Sequence, residues 1–398
     1  MSKKTQSKKL RFGVVGMGFI GRIHAKAIVA GRETTLGAVA DAFAPSARKA
    51  GEEFNVPPFS DPQRMFESGL IDAVIIATPH YLHPPLTIRA ARCGLHVLCE
   101  KPMAVTIGAA RAMVDECRKR KVALGSMLQM RTRGIMRKMK RLVDSGSLGR
   151  ILRVSMICTN WYRTQAYYDS GTWRGTWEGE GGGILLNQAP HNLDLFQWIG
   201  GMPKAVSAIT TTRVHKIEVE NTANLIFDYG NGCMGSFYAT TAELPGQDQF
   251  LIAGDKATLL AEGKSLRMAR LSRPLSKHAF ECKEAVADNV VPPSCTWSDV
   301  EYKEICSDNR AETIRAFAAH VLHGKEMVAS GADGLAELEI SNAAYVSADQ
   351  GRRIDLPVDA VVVDKLLDRL ARSSARKMDP AKSLRRQAAK DLKKLLRS

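Results

Sequence analysis

The sequence predicts a doubly wound parallel α/β unit followed by a second domain built on a largely antiparallel sheet. Two observations carry this. From Arg11 to about Ser126, short apolar runs alternate with helical patterns, as in strands wound with helices. Beyond Asp144, long β-type segments follow one another without intervening helices. At 398 residues, with 45% apolar and 25% charged residues, the chain has room for two or three domains and a sizeable core. That composition excludes disorder, a collagen-like repeat and a disulfide-dense mini-scaffold.

In the first half the strands are expected at residues 11–15, 36–41, 71–78, 96–100 and 122–126, separated by helices at 21–30, 45–54, 82–93 and 106–119. A helix near 131–144 leads into β-type segments at 151–160, 205–215, 222–228, 233–240 and 250–253. Helical patterns return at 310–323, 335–348 and 360–372, and a basic one closes the chain at 380–396. The Pro292-Pro293 region reads as an exposed connection. These patterns divide the chain into a basic tail (1–10), a first domain (11–126), a second (127–358) and a basic helical extension (359–398).

The net charge of +16 belongs to the ends. Residues 1–11 carry five cations and no acid, and residues 365–398 carry twelve cations against three acids, leaving +2 for everything between. A body that tracked phosphates would spread its charge, so nucleic-acid binding is not expected, and the tails read as solvated ends. The eight cysteines include no C-x-x-C pair, which suits reduced thiols in a cytoplasmic protein and gives no metal site. No apolar run approaches the length of a membrane span.

The chemistry-bearing motifs begin at Gly16-Met17-Gly18-Phe19-Ile20-Gly21, between the first strand and the first helix, with Asp41 at 20 positions past Gly21. In that context G-x-G-x-x-G is a dinucleotide turn: Gly16 for the tight bend, Gly18 for approach to the pyrophosphate, Gly21 for close helix packing, and the backbone of Phe19 and Ile20 at the helix N-terminus. Asp41 would accept from ribose hydroxyls and repel a 2′-phosphate. NAD is therefore expected over NADP, with Arg48, one to two helical turns on, the arginine that favours the latter. Two further strand ends carry Thr78-Pro79-His80-Tyr81-Leu82-His83 and Glu100-Lys101-Pro102, at the sheet edge where ligands bind. Thr78, Pro79, His80, His83, Glu100 and Lys101 are thus expected to border the cofactor, with the Lys101 ammonium aimed at substrate oxygen.

Together with Gly181-Gly182-Gly183 and a helix bearing His191, these motifs resemble the glucose-fructose oxidoreductase, inositol dehydrogenase and MocA family over about residues 11–355. The resemblance implies a Rossmann domain plus an α+β domain with a large open, mostly antiparallel sheet. It also implies NAD(P)-linked oxidation or reduction of a secondary hydroxyl on a sugar, glycoside or cyclitol, and a homo-oligomer, dimer or tetramer. By the same resemblance Gln129 contacts the nicotinamide carboxamide. The family's D-x-x-x-H pattern is altered, because Asn187 stands where the aspartate is usual.

On this reading His191 is the general base and Lys101 stabilises the developing alkoxide. Spacing by four puts Asn187 on the same helical face as His191, where it would orient substrate, while Asp194, three positions past His191, lies one turn on, where it would orient the imidazole. Residues 161–177 hold six of the 25 aromatic residues, among them Trp161, Tyr162 and Trp173, interleaved with Arg163 and Arg174. Such clusters are often core, but the surrounding glycines favour a loop whose rings stack on a sugar and whose arginines bond its hydroxyls. Two alternatives remain open at this stage: a redox-neutral enzyme with tightly bound NAD, such as one cleaving glycosides by transient oxidation, and a non-enzymatic dinucleotide-binding regulator.

Overall fold

The computed structural model describes residues 9–171, 173–374 and 384–397. The first sheet is wholly parallel and runs in the order β3-β2-β1-β4-β5-β6, formed by β1 (Leu10–Val15), β2 (Thr34–Ala40), β3 (Pro58–Phe59), β4 (Ala73–Ile76), β5 (His96–Cys99) and β6 (Leu124–Ser126). All four residues of β4 are buried, as a strand with helices on both faces requires. The order reverses between β1 and β4. A crevice therefore opens at their C-terminal ends, bordered by the glycine turn and by Thr78 to His80.

The second sheet has nine strands, ordered β14-β13-β12-β11-β7-β10-β9-β8-β15, and is antiparallel except where β7 (Ile151–Cys158) pairs with β10 (Met234–Thr240). The others are β8 (Ala205–Thr211), β9 (Thr222–Asp228), β11 (Asp248–Gly254), β12 (Ala257–Glu262), β13 (Ser265–Leu271), β14 (Cys295–Asp299) and β15 (Ile354–Asp355). Sequence patterning passed over β12 and β13 because Leu, Ala, Met and Arg are helix formers. Their burial nevertheless alternates along most of each strand, and pairing with neighbours overrides propensity. The helices Pro190–Gly200 and Asp333–Gln350 cover the inner face, where Phe196 meets Phe227 and Phe237 at centroid distances of 4.9 and 5.9 Å. The outer face is open.

Two segments depart from the sequence-order division. The helix Asn309–His323, expected within the second domain, packs on the first: Ile314, Phe317 and Ala318 join Phe12 and Leu98 in one buried cluster. The closing helix Leu384–Arg397 is not a free solvated end. Asp391 pairs with Arg89 at 2.8 Å, the Leu395 carbonyl accepts from Arg92 at 2.6 Å, and Arg385 reaches Glu178 at 2.7 Å. The tail residues 1–8 and 375–383 lie outside the described residues. Among the described residues no helix is long and apolar enough to cross a membrane, and no His, Cys, Asp and Glu converge as a metal cluster. All eight cysteines are free thiols.

Candidate active site

The glycine turn has the shape its three roles require. Gly16 sits at φ +92°, and a Cβ there would lie 2.5 Å from the Ala77 carbonyl. A Cβ on Gly21 would lie 1.9 Å from the Gly16 carbonyl, so only glycine lets the helix start so close to the strand. Around Gly18 there is nothing within 4 Å, and no side chain caps the helix Phe19–Ala30 that follows. Its first N–H groups and the positive end of its dipole therefore face open space, the setting in which a helix N-terminus binds phosphate. Asp41 accepts from the backbone N–H of Met17 at 2.8 Å and of Phe43 at 2.9 Å, which leaves a lone pair on each oxygen for a ribose hydroxyl. These residues fit a dinucleotide. Arg48 is exposed on the next helix, Ala44–Phe54.

The histidines after β4 are engaged by backbone carbonyls. His83 is completely buried, and its ring nitrogens face the Thr78 and Pro102 carbonyls, each at 2.8 Å. It ties two strand ends together. Burial lowers its pKa against the pull of those carbonyls. His80 Nδ1 donates to the Glu180 carbonyl at 3.0 Å, joining the crevice to the glycine-rich loop. Burial, aided by His83 and Lys101, pushes its pKa down to about 3, so the ring is neutral. Thr78 Oγ1 is buried with no partner among the described residues, and Pro79 precedes the short turn His80–Leu82. Glu100 pairs with His24 on the first helix at 2.7 Å. Burial alone would raise the Glu100 pKa, but the His24 hydrogen bond and charge, with Lys101, bring it down to about 2. It is an anchor for the glycine-turn helix.

Lys101, after β5, enters a cis bond with Pro102, and its ammonium donates to the Asn187 carbonyl at 2.6 Å. Burial lowers its pKa against the opposing pull of Glu100, Glu337 and Glu180. His191 is 8% exposed, and burial with the Lys101 charge pushes its pKa down to about 3, leaving a neutral imidazole able to accept a proton. Gln129, expected at the nicotinamide, sets its amide nitrogen 3.2 Å from His191 Nε2. Gln129 Oε1 and His191 Nδ1 are both buried without partners among the described residues. A half turn of the amide lets Oε1 accept from Nε2–H, which satisfies the oxygen and leaves the Nδ1 lone pair for a substrate proton.

Two helical expectations fail. The helix carrying His191 is Pro190–Gly200, so Asn187 lies in the turn before it rather than one turn along the same face. Pro190 contributes to the break: it occupies the first helical turn and has no N–H to donate to the carbonyl four residues back. Asp194 does not orient the imidazole. It is fully buried and bidentate to Arg131 at 2.9 and 2.6 Å, and Arg131 also reaches Asp333 at 2.8 Å.

The aromatic segment forms a stack of alternating rings and cations. Arg163 lies over Trp161 and Tyr167, at 5.4 and 4.9 Å from their centroids, and Arg174 lies over Tyr167 and Trp173, at 4.6 and 4.4 Å. Arg174 also donates to the Tyr167 hydroxyl at 2.7 Å. The arginines are therefore largely engaged by rings. Trp173 meets His80 edge-on at 5.9 Å, placing its end of the stack at the crevice, whereas Tyr162 is 42% exposed.

Sequence reasoning missed three charged groups here. Glu180 is 1% exposed, with its carboxylate on Asn187 Nδ2 and on the Gly175 N–H. Glu337 is equally buried, burial and Asp194 raise its pKa to about 8, and its Oε2 has no partner among the described residues. Arg310 acts on both Lys101 and His191, lowering their pKa values. The available signals were an acid inside the Gly179-Glu180-Gly181 run and an acid on the apolar face of a helix.

Comparison with known proteins accords with this geometry. Residues 10–127 match the family model described as the oxidoreductase family, NAD-binding Rossmann fold, and residues 136–260 match that of the GFO/IDH/MocA C-terminal domain. The solved WlbA dehydrogenase from Bordetella pertussis, in complex with NADH and UDP-GlcNAcA, superposes with a TM-score of 0.74 at 31% identity, covering 88% of this chain and 100% of that one. Inositol 2-dehydrogenase from Rhizobium meliloti is 26% identical over 354 residues, 87% of this chain and 99% of that one. D-glucoside 3-dehydrogenase from Escherichia coli is 25% identical over 365 residues, 89% of this chain and 100% of that one.

Proposed function

The chain belongs to the Gfo/Idh/MocA oxidoreductase family, and on that premise we propose that it is an NAD-dependent dehydrogenase of carbohydrate CH–OH groups in which His191 and Lys101 do the chemistry. The substrate class is a sugar, glycoside or cyclitol with a secondary hydroxyl. The observation that carries this is the convergence of Lys101 and of neutral His191, from two domains, at the sheet edge beside the glycine turn.

NAD, when bound, accepts at nicotinamide C4 the hydride that leaves the carbinol carbon. The residues here handle the proton and the charge. His191 takes the hydroxyl proton as the C–H bond breaks, so the alcohol loses one hydride and one proton and becomes a ketone. The Lys101 ammonium, one of whose three N–H groups is already spent on the Asn187 carbonyl, offers the others to the oxygen as negative charge develops there. Gln129 fixes the His191 ring, and Trp173 with Arg174 walls the crevice. Asp41 selects NAD over NADP.

The same reading makes residues 11–126 the cofactor domain, assisted by the helix Asn309–His323, and residues 127–358 the substrate and assembly domain, with 359–398 as an extension. Assembly into a homo-oligomer is supported by the open outer face of the second sheet, where Ile209, Ile226 and Met234 are 74%, 53% and 61% exposed. Eight free thiols suit a cytoplasmic location.

The test is absorbance at 340 nm with NAD or NADP against inositols, free sugars, glycosides and nucleotide-linked sugars. NADH formation with one group is expected, with kcat down roughly 100- to 1,000-fold in Lys101→Ala and roughly 100- to 10,000-fold in His191→Ala. Intact turnover in either variant would refute the assignment.

A further inference from the structure

The loop between β7 and the His191 helix buries a carboxylate that the mechanism above does not use. Glu180 sits between two glycines, and its backbone is fixed from the other domain by the His80 ring, which donates to its carbonyl at 3.0 Å. Its side chain turns inward. One oxygen accepts from the Gly175 N–H at 2.6 Å and the other from the Asn187 side-chain amide. Asn187 is thereby held at both ends, since its own N–H donates to the Gly183 carbonyl at 2.9 Å, and its carbonyl is the acceptor for Lys101.

A chain of contacts thus runs from Glu180 through Asn187 to the Lys101 ammonium. From it we infer that Glu180 is a positioning residue for the dehydrogenase reaction: its carboxylate locks Asn187 so that Lys101 is aimed at the substrate oxygen. This rests on the function proposed above and adds a residue to it.

The surroundings make the lock sensitive to protonation. Facing Glu180 are Arg174 and Asn187 from its own loop, Glu220 ahead of β9, Lys101 after β5, Tyr168 from the helix Gln165–Asp169 and Tyr345 from the helix Asp333–Gln350. Burial raises the Glu180 pKa to about 7, with Glu220 adding to it, while Gly175, Arg174 and Asn187 pull the other way. The ionised carboxylate accepts from both N–H donors. Once protonated, one oxygen carries a hydrogen and serves its donor poorly, so the lock loosens as pH falls through this range.

The experiment pairs Glu180→Gln and Asn187→Ala, each examined by a pH profile of kcat, by NAD affinity, by Tm and by the rate at which an amine reagent labels Lys101, read by mass spectrometry. Glu180→Gln presents an amide N–H to one of two donors, so kcat at pH 8 is expected to fall at least tenfold. NAD affinity should stay within about twofold, and the limb of the profile near pH 7 should vanish. Asn187→Ala removes a hydrogen bond that favours the ionised acid, so its limb should move to higher pH. Lys101, released and no longer beside an anion, should label at least threefold faster in Glu180→Gln.

An unchanged limb in both variants together with an unchanged labelling rate would overturn the role. Labelling needs no turnover. A parent protein inactive on every substrate but showing faster Lys101 labelling in Glu180→Gln would therefore refute the dehydrogenase reading and leave the lock standing. If Glu180→Gln fails to fold, Asn187→Ala decides alone: labelling and limb both unmoved would sink the proposal.

Discussion

The buried titratable groups of this site make opposite demands on pH. His80 and His191 are held near pH 3 by burial, well below the 6.5 of an exposed histidine. Between those values the unfolded chain binds protons that the folded chain refuses, so the stability they contribute is complete above pH 6.5 and declines as pH drops toward 3. His80→Gln, which keeps an N–H for the Glu180 carbonyl, should flatten part of the fall in apoprotein Tm between pH 7 and 5. A parallel curve would show that His80 titrates normally. Glu337 behaves in the reverse sense. Its acid is held at about 8 against 4.5 in the unfolded chain, so its contribution is complete below 4.5 and is lost as pH rises toward 8. Glu337→Gln should raise Tm by a few degrees at pH 8.5 and leave it unchanged at pH 5, measured by calorimetry. An equal change at both values would contradict the burial argument.

At the scale of the element, the glycine turn separates packing from binding. Gly21 and Gly18 belong to one motif, yet a methyl group at Gly21 meets the Gly16 carbonyl while one at Gly18 meets open space. Gly21→Ala is expected to lower both Tm and NAD affinity. Gly18→Ala should fold with a Tm within about 2 °C of the parent, since nothing is displaced, and weaken NAD at least tenfold because the methyl intrudes on the pyrophosphate approach. Calorimetry and a fluorescence titration with NAD check both, and equal binding by Gly18→Ala would remove the phosphate from that position. The helix of His191 teaches a related lesson. Spacing by four implies a shared face only within one helix, and Pro190 ends that continuity; Asn187 serves Lys101 through its carbonyl while its side chain is held by Glu180.

Across the whole molecule, the open nine-stranded sheet and the closing helix determine how the parts are held. Ile209, Ile226 and Met234 lie on the solvent face of neighbouring strands β8, β9 and β10, each two positions out of register with the next, so they run diagonally across that face with Ser207 and Ser236 directly opposite Ile226. Light scattering should find a dimer or tetramer, and Ile226→Arg should shift it toward monomer without loss of secondary structure. A monomeric parent would leave that face unexplained. The closing helix bridges the domains through Arg385 with Glu178, and Arg89 with Asp391. Arg385 and Glu178 are both shielded, with side chains 13% and 9% exposed, so Arg385→Ala should lower Tm by several degrees in calorimetry by removing the close partner of a buried acid that Arg386 reaches at 3.7 Å.

What the sequence determined by itself follows from local rules. Strand and helix periods, the glycine turn with Asp41, and the Lys101 and His191 motifs are written in short stretches, because backbone conformation and dinucleotide chemistry constrain neighbouring residues. The tertiary structure alone decided which distant groups meet. Nothing in the spacing places Glu180 on Asn187, Gln129 on His191 or Asp194 on Arg131, since those pairs are 7, 62 and 63 residues apart and are joined by loop geometry or by tertiary packing within the second domain. The strength of each charge was likewise undetermined until burial was known. Solvation and neighbours set whether an imidazole is neutral or a carboxyl is ionised, and both are properties of the folded surroundings rather than of the residue.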